Sequence, residues 1–208
     1  MDRAILKYIK WLGHDSFCID GGITIYIDPF QIQSGKKADL VLITHEHYDH
    51  CSPEDVAKIR TDETVIITEQ KSAEKLEGHV QVMKPGESTT VKGITVETVV
   101  SYNTNKKFHP RENSWLGFII DIDGTRIYHA GDADFIPEMK DIKADIALLP
   151  VSGTYVMTAA EAVQAALAIN PQVAIPMHYG AIVGSEKDAV DFKNALEGKM
   201  EVLILEKS

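Results

Sequence analysis

The sequence predicts a mixed α/β fold, with strands gathered into two sheets and helices outside them. Two observations predict it. Short apolar runs rich in Ile and Val recur along the chain, bounded by Gly, Pro, Asp and Asn. Helix-capping patterns then separate the later runs, whereas the earlier runs are joined by tight turns. At 208 residues the chain can bury one sizeable core. No connection reads as a linker, so residues 1–208 are expected to form one domain.

Strands are predicted over residues 23–27, 40–43, 65–67, 94–100, 116–122, 125–129, 146–149, 173–175 and 202–205. Asp20-Gly21-Gly22 and Asp123-Gly124 are turn signals that join neighbours into hairpins. Ser52-Pro53-Glu54-Asp55 opens a helix, with a capping hydroxyl, a Pro at the first helical position and an acid at the third. Thr158 and Glu161 form a capping box, and that helix should stop at Asn170-Pro171. Ser185 and Asp188 open a last helix that Gly198 would close, and residues 71–77 form a weaker helical candidate.

Composition excludes some functions. Twenty-one basic against 31 acidic residues leave a formal charge of −10, which argues against the basic stripe that nonspecific nucleic-acid binding needs. No run approaches the roughly 18 apolar residues of a membrane span. The start, MDRAILKYIK, lacks a signal-peptide pattern. Two cysteines, Cys18 and Cys51, are too few for a disulfide framework. A cytoplasmic protein is the expectation, and a homo-oligomer is left open.

The chemistry concentrates in Thr44-His45-Glu46-His47-Tyr48-Asp49-His50, directly after the strand over 40–43. Four candidate metal ligands fall within six residues of a chain that holds only eight histidines, which chance does not readily produce. Extended backbone puts His45 and His47 on one face, where both can point at one ion. The turn towards Ser52 can then aim Asp49 and His50 at a second ion. Imidazole and carboxylate suit zinc and its neighbours.

This segment resembles the signature of the metallo-β-lactamase superfamily, His-x-His-x-Asp-His after a strand. Asp28 matches an Asp that closes an early strand, His109 a third His for the first metal, Asp132 a bridging Asp in a Gly-Asp pair, and His178 a final His. The resemblance spans residues 14–180 and implies a four-layer αββα sandwich. It also implies two divalent ions, zinc foremost with manganese or iron as alternatives. His45, His47 and His109 would hold one ion, Asp49, His50 and His178 the other, and Asp132 would bridge them. Paired ions lower the pKa of a shared water enough to supply hydroxide near neutral pH, and Asp49 is placed to accept its proton. Two divalent charges against two aspartates and a hydroxide leave a positive spot, which favours a small anionic or carbonyl-bearing substrate.

Two relatives are set aside on residues: flavo-di-iron proteins carry Glu where this chain has His47, and classical β-lactamases lack a His after Asp49. Leu12-Gly13-His14, Ser16-Phe17 and Ile27-Asp28-Pro29-Phe30 resemble the branch that contains L-ascorbate-6-phosphate lactonase. The expectation is therefore a metal-dependent hydrolase of a small phosphodiester, lactone or other ester. An RNA-processing nuclease and a non-catalytic metal-binding or regulatory protein are the alternatives.

Other residues are weighed one by one. Asp28 is expected to orient a ligand histidine rather than bind metal. His14 either lines the pocket and meets substrate or holds backbone at the hairpin. His129 should pack away from the metals, Asp134 should hold its loop, and Cys51 should pack. Lys106, Lys107 and Arg111 either receive a substrate phosphate or form a solvated loop. Tyr48 and Tyr179, next to ligands, are candidate oxyanion donors.

Overall fold

In the first sheet of the computed structural model, which describes residues 1–208, successive residues are buried but face two different cores in turn. Its strands are β1 (Ile9–Gly13), β2 (Ser16–Asp20), β3 (Thr24–Ile27), β4 (Leu40–Leu42), β5 (Val65–Thr68) and β6 (His79–Val82), in that spatial order. Phe17, Ile19, Ile25, Ile27, Leu40, Leu42 and Ile67 face the main core. Their alternates Cys18, Tyr26, Val41, Ile43 and Ile66 face outward, where they pack with Val56 and Ile59 of helix α1 (Pro53–Ile59).

The second sheet comprises β7 (Ser88–Val91), β8 (Ile94–Val100), β9 (Leu116–Ile122), β10 (Thr125–His129), β11 (Ile146–Pro150), β12 (Val173–Met177) and the two-residue β13 (Glu201–Val202). Helices α3 (Ala159–Ile169) and α4 (Glu186–Ala195) lie outside it and contribute Ala162, Ala165, Ala166 and Phe192 to the same buried cluster. A short α2 (Gln70–Ala73) links β5 to β6. Helices flank two facing sheets, which is the four-layer αββα arrangement.

Both sheets follow one plan, an antiparallel meander that continues into parallel strands. β1 to β3 are antiparallel and β3 to β6 parallel. Likewise, β7 to β10 are antiparallel and β10 to β13 parallel. Helices therefore alternate with strands in both halves, not only in the later one. Within each sheet, β1, β3 and β4, and β8, β10, β11 and β12, all run the same way. The loops at their carboxyl ends carry every candidate ligand.

The caps form as the sequence predicts. Ser52 Oγ accepts from Asp55 N, Thr158 and Glu161 exchange the bonds of a capping box, and Asn170 ends α3 in a left-handed conformation. Other boundaries differ. The strand expected over 202–205 shortens to Glu201–Val202, although Leu203 N still bonds Ala174 O at 3.0 Å. The helix expected over 71–77 is only Gln70–Ala73, and α4 ends at Ala195, before Gly198. β1, β2, β6 and β7 carry no strong apolar run. β6 and β7 are edge strands paired on one side only, so their sequences need not alternate strictly.

Candidate metal centre

β4 ends at Leu42, and the chain then carries His45, His47, Asp49 and His50 over the mouth of the sandwich before Ser52 caps α1. Donor atoms of His45, His47 and His109 lie within 4.8 Å of one another. His45 Nε2 faces His47 Nδ1 at 3.0 Å. His109 reaches this cluster from the loop between β8 and β9, more than sixty positions along the chain.

His50 and His178 form a second cluster beside the first. Asp132 stands between the two. Its Oδ1 is 3.4 Å from His50 Nε2 and 3.3 Å from His178 Nε2, while its Oδ2 is 3.2 Å from His109 Nε2. Gly131 makes this placement possible. Its φ is +61°, and a Cβ there would sit 3.0 Å from Leu116 O and 3.3 Å from Thr44 Cβ.

The outer nitrogens of four imidazoles are engaged, which leaves their inner nitrogens aimed into the centre. Asp28 Oδ2 accepts from His50 Nδ1 at 2.8 Å and from Thr44 Oγ1 at 2.7 Å. Thr44 Oγ1 in turn meets His45 Nδ1 at 2.9 Å, so one buried carboxylate orients both clusters. His109 Nδ1 is held by Asn103 Oδ1 at 3.0 Å, and His178 Nδ1 by Ser152 Oγ at 2.9 Å. Sequence reasoning anticipated Asp28 but not Thr44, Asn103 or Ser152, which carry no local signal. Trp115 is a further omission: its ring packs 4.6 Å from His45 and 4.8 Å from His47 as an apolar wall.

Three residues here hold left-handed backbone: His14 (φ 53°), Asp28 (φ 43°) and His178 (φ 59°). Such strain persists where the surroundings over-determine it. His178 N bonds His14 O at 3.1 Å, which ties the β1–β2 turn to the end of β12.

The electrostatics differ between the clusters. Burial pushes His45 well below the ordinary histidine range, with His50 adding to the effect. Burial and neighbouring His109 lower His47. Burial also opposes charge on His50 and His178, but Asp132 outweighs it. His50 is raised well above its usual value, and His178 to about 9. Asp132 is held well below the carboxylate range against its own burial, by His50 and then His178.

Asp49 Oδ2 lies 3.1 Å from His14 Nε2 and 3.9 Å from His50 Nε2. Burial opposes its charge, yet the His14 hydrogen bond leaves it below its ordinary range. His14 is fully buried, and its ring packs 4.1 Å from that of His178, so it belongs to the centre. His129 is turned away: its Nε2 bonds Asp15 O at 2.9 Å, and its Nδ1 accepts from Gly131 N. Asp134 holds its loop by accepting from Thr104 N, and it pairs with Lys106. Arg111 pairs with Glu138 at 2.7 Å. Cys51 packs in the outer core. Tyr179 is buried and stacked on Trp11, which removes it as an oxyanion donor.

A hollow of about 280 Å³ opens onto the centre, with His47, Asp49, His109 and Asp132 at its base. Its rim is apolar: Tyr48, Phe108, Tyr155 and Ile182, all exposed. Phe108 and Tyr155 meet edge to face at 4.5 Å.

The donor set fits divalent cations. His50 Nε2, His109 Nε2 and Asp132 Oδ1 are buried, point into the centre and make no hydrogen bond. Burying such atoms unpaired is costly, and cations held among them would satisfy all three.

Comparisons with known proteins point to one family. A family profile described as a beta-lactamase superfamily domain matches residues 8–178. A UPF0173 metal-dependent hydrolase of Archaeoglobus fulgidus is 33% identical over 95% of both chains. Another, of Thermoplasma acidophilum, is 34% identical over 95% of this chain and 93% of its own. A crystal structure of a Parabacteroides distasonis protein described as a metal-dependent hydrolase superposes with a TM-score of 0.86 at 36% identity, covering 96% of this chain and 93% of that one. Igni18, a metallo hydrolase of Ignicoccus hospitalis, superposes with a TM-score of 0.79 at 25% identity, covering 96% and 95%. With a donor set that suits divalent cations, at the loops where both sheets end, the chain belongs to the metallo-β-lactamase superfamily and to its UPF0173 metal-dependent hydrolase family.

Proposed function

We propose that this protein hydrolyses a small ester or lactone with two divalent cations, zinc foremost, held by His45, His47 and His109 on one side and by Asp49, His50 and His178 on the other, with Asp132 between. The observation that carries the reading is the Asp132 carboxylate, whose two oxygens face the two histidine clusters separately. Bound there, the ions would supply Lewis acidity and a water acidified to near-neutral pKa. The neutral imidazoles of His45 and His47 offer lone pairs at once, because burial keeps protons off them. Asp49 is charged at neutral pH and, steadied by His14, can accept a proton from the attacking water.

The rim favours a carbonyl substrate with an apolar flank. Tyr48, Phe108, Tyr155 and Ile182 would cover that flank, while Lys106 and Arg111 are already paired with acids. Lactone opening also accords with the resemblance around His14 and Asp28 to the ascorbate-phosphate lactonase branch. The negative charge that develops on the carbonyl oxygen during attack would sit against the cations. A phosphodiester is the second reading, and the acidic balance disfavours RNA. No helix is long and apolar enough to cross a membrane. Cys18 and Cys51 are free and buried, which suits a reducing compartment such as the cytoplasm.

Elemental analysis of the purified protein, followed by lactone, ester, thioester and phosphodiester assays with each metal, tests the proposal. Two ions per chain and hydrolysis of apolar-flanked lactones or esters are expected. No turnover in any fully loaded form would overturn it.

A further inference from the structure

We propose that Asp15 is a further protein ligand of the second cation, joining Asp49, His50, Asp132 and His178. This inference rests on the binuclear reading above and adds a donor that the superfamily signature does not contain. Asp15 lies in the turn between β1 and β2, and its side chain is fully shielded from solvent. Neither carboxylate oxygen makes a hydrogen bond. One of them lies within 4.8 Å of donor atoms of His50, Asp132 and His178.

The turn cannot swing this carboxylate out to water. The Asp15 carbonyl accepts from His129 Nε2 at 2.9 Å. The neighbouring His14 carbonyl accepts from Trp11 Nε1 at 2.8 Å and from His178 N at 3.1 Å. A dry carboxylate with no donor, next to a second carboxylate, is among the least favourable arrangements a fold can hold. A divalent cation among Asp15, Asp132 and the two imidazoles removes the conflict. A proton shared between the acids is the rival solution, and the two solutions respond differently to mutation.

The inference also makes the centre asymmetric. The first position is nitrogen-rich, with His45, His47 and His109 around Asp132. The second would gather carboxylates from Asp15, Asp132 and Asp49 around two imidazoles. Oxygen-rich sites suit harder ions such as manganese, whereas imidazole-rich sites suit zinc. Mixed loading would therefore place manganese at the second position.

The test titrates metal-stripped full-length protein with zinc, and separately with manganese, against a chelator, and takes melting curves with and without metal. Wild type should bind two ions. Asp15→Asn should keep the first and weaken the second by more than the ~10–100-fold loss typical of an orienting partner. Because the uncompensated charge is gone, metal-free Asp15→Asn should melt above metal-free wild type, while the zinc-saturated variant melts below zinc-saturated wild type. Asp15→Ala should lose the second ion equally. Asn is isosteric with a neutral acid, so an Asn variant that binds the second ion as wild type does would overturn the proposal and assign Asp15 a proton. Fewer than two ions on wild type would overturn the binuclear reading and this inference with it.

Discussion

Asp28 Oδ2 accepts a 2.8 Å hydrogen bond from His50 Nδ1, with both side chains fully buried. The same carboxylate takes Thr44 N and Thr44 Oγ1, and so steers His45 as well. Asn tolerates the left-handed φ of Asp28, so Asp28→Asn removes the charge without breaking the backbone. Metal affinity should fall by about 10–100-fold in a chelator competition while circular dichroism stays unchanged. Unaltered affinity would mean that the imidazoles are held by packing alone.

Metal binding should stabilise the fold, because the donors come from both sheets and assemble only in the native state. At a free zinc concentration about a thousand times the Kd, linkage adds about 4 kcal/mol, or roughly 8–16 °C in Tm for a chain of this size. Scanning calorimetry with and without a chelator measures the shift. A melting point indifferent to metal would refute cross-sheet coordination.

The apolar rim predicts selectivity. Phe108→Ala should raise KM roughly 5–30-fold for esters with a bulky apolar group, the equivalent of about 1–2 kcal/mol of lost burial. An acetyl ester should be nearly unaffected. Equal effects on both substrates would show that Phe108 positions the loop of His109 rather than the substrate.

His129 provides a pH dependence. Burial keeps its imidazole below the ordinary histidine range, so the folded protein holds it neutral. The unfolded chain protonates the same group below about pH 6.5. More protons are then bound in the unfolded state, and stability falls as pH drops below that value. His129→Gln should cost about 1–3 kcal/mol at pH 7.5 through lost buried hydrogen bonds. The variant lacks the acid-sensitive group, so the gap to wild type should narrow at pH 5.5. Urea midpoints at the two pH values check this, and a constant gap would contradict it.

Phe192 separates stability from chemistry. It is fully buried on α4, outside the second sheet. Phe192→Ala should destabilise by about 3–5 kcal/mol and leave the metal count unchanged. Ion loss in the folded variant would show that α4 supports the His178 loop.

Much of this was legible in the chain because it is written in local spacing. The short apolar runs of β3 and β4, the caps at Ser52 and Thr158, and the segment from His45 to His50 each depend on residues a few positions apart. Their geometry follows from backbone periodicity. The edge strands β6 and β7 were hidden because a strand paired on one side need not alternate.

Sequence alone determined which side chains could bind a cation, since only imidazoles and carboxylates have the lone pairs. It also set the order in which strands deliver them. The tertiary structure decided how those groups are used. It turned the two oxygens of Asp132 towards different histidine clusters, gave His14 to Asp49, and sealed Asp15 in the interior without a partner. Those outcomes depend on how closely two sheets approach and which loops meet where their strands end. Packing sets that distance jointly across residues more than a hundred positions apart.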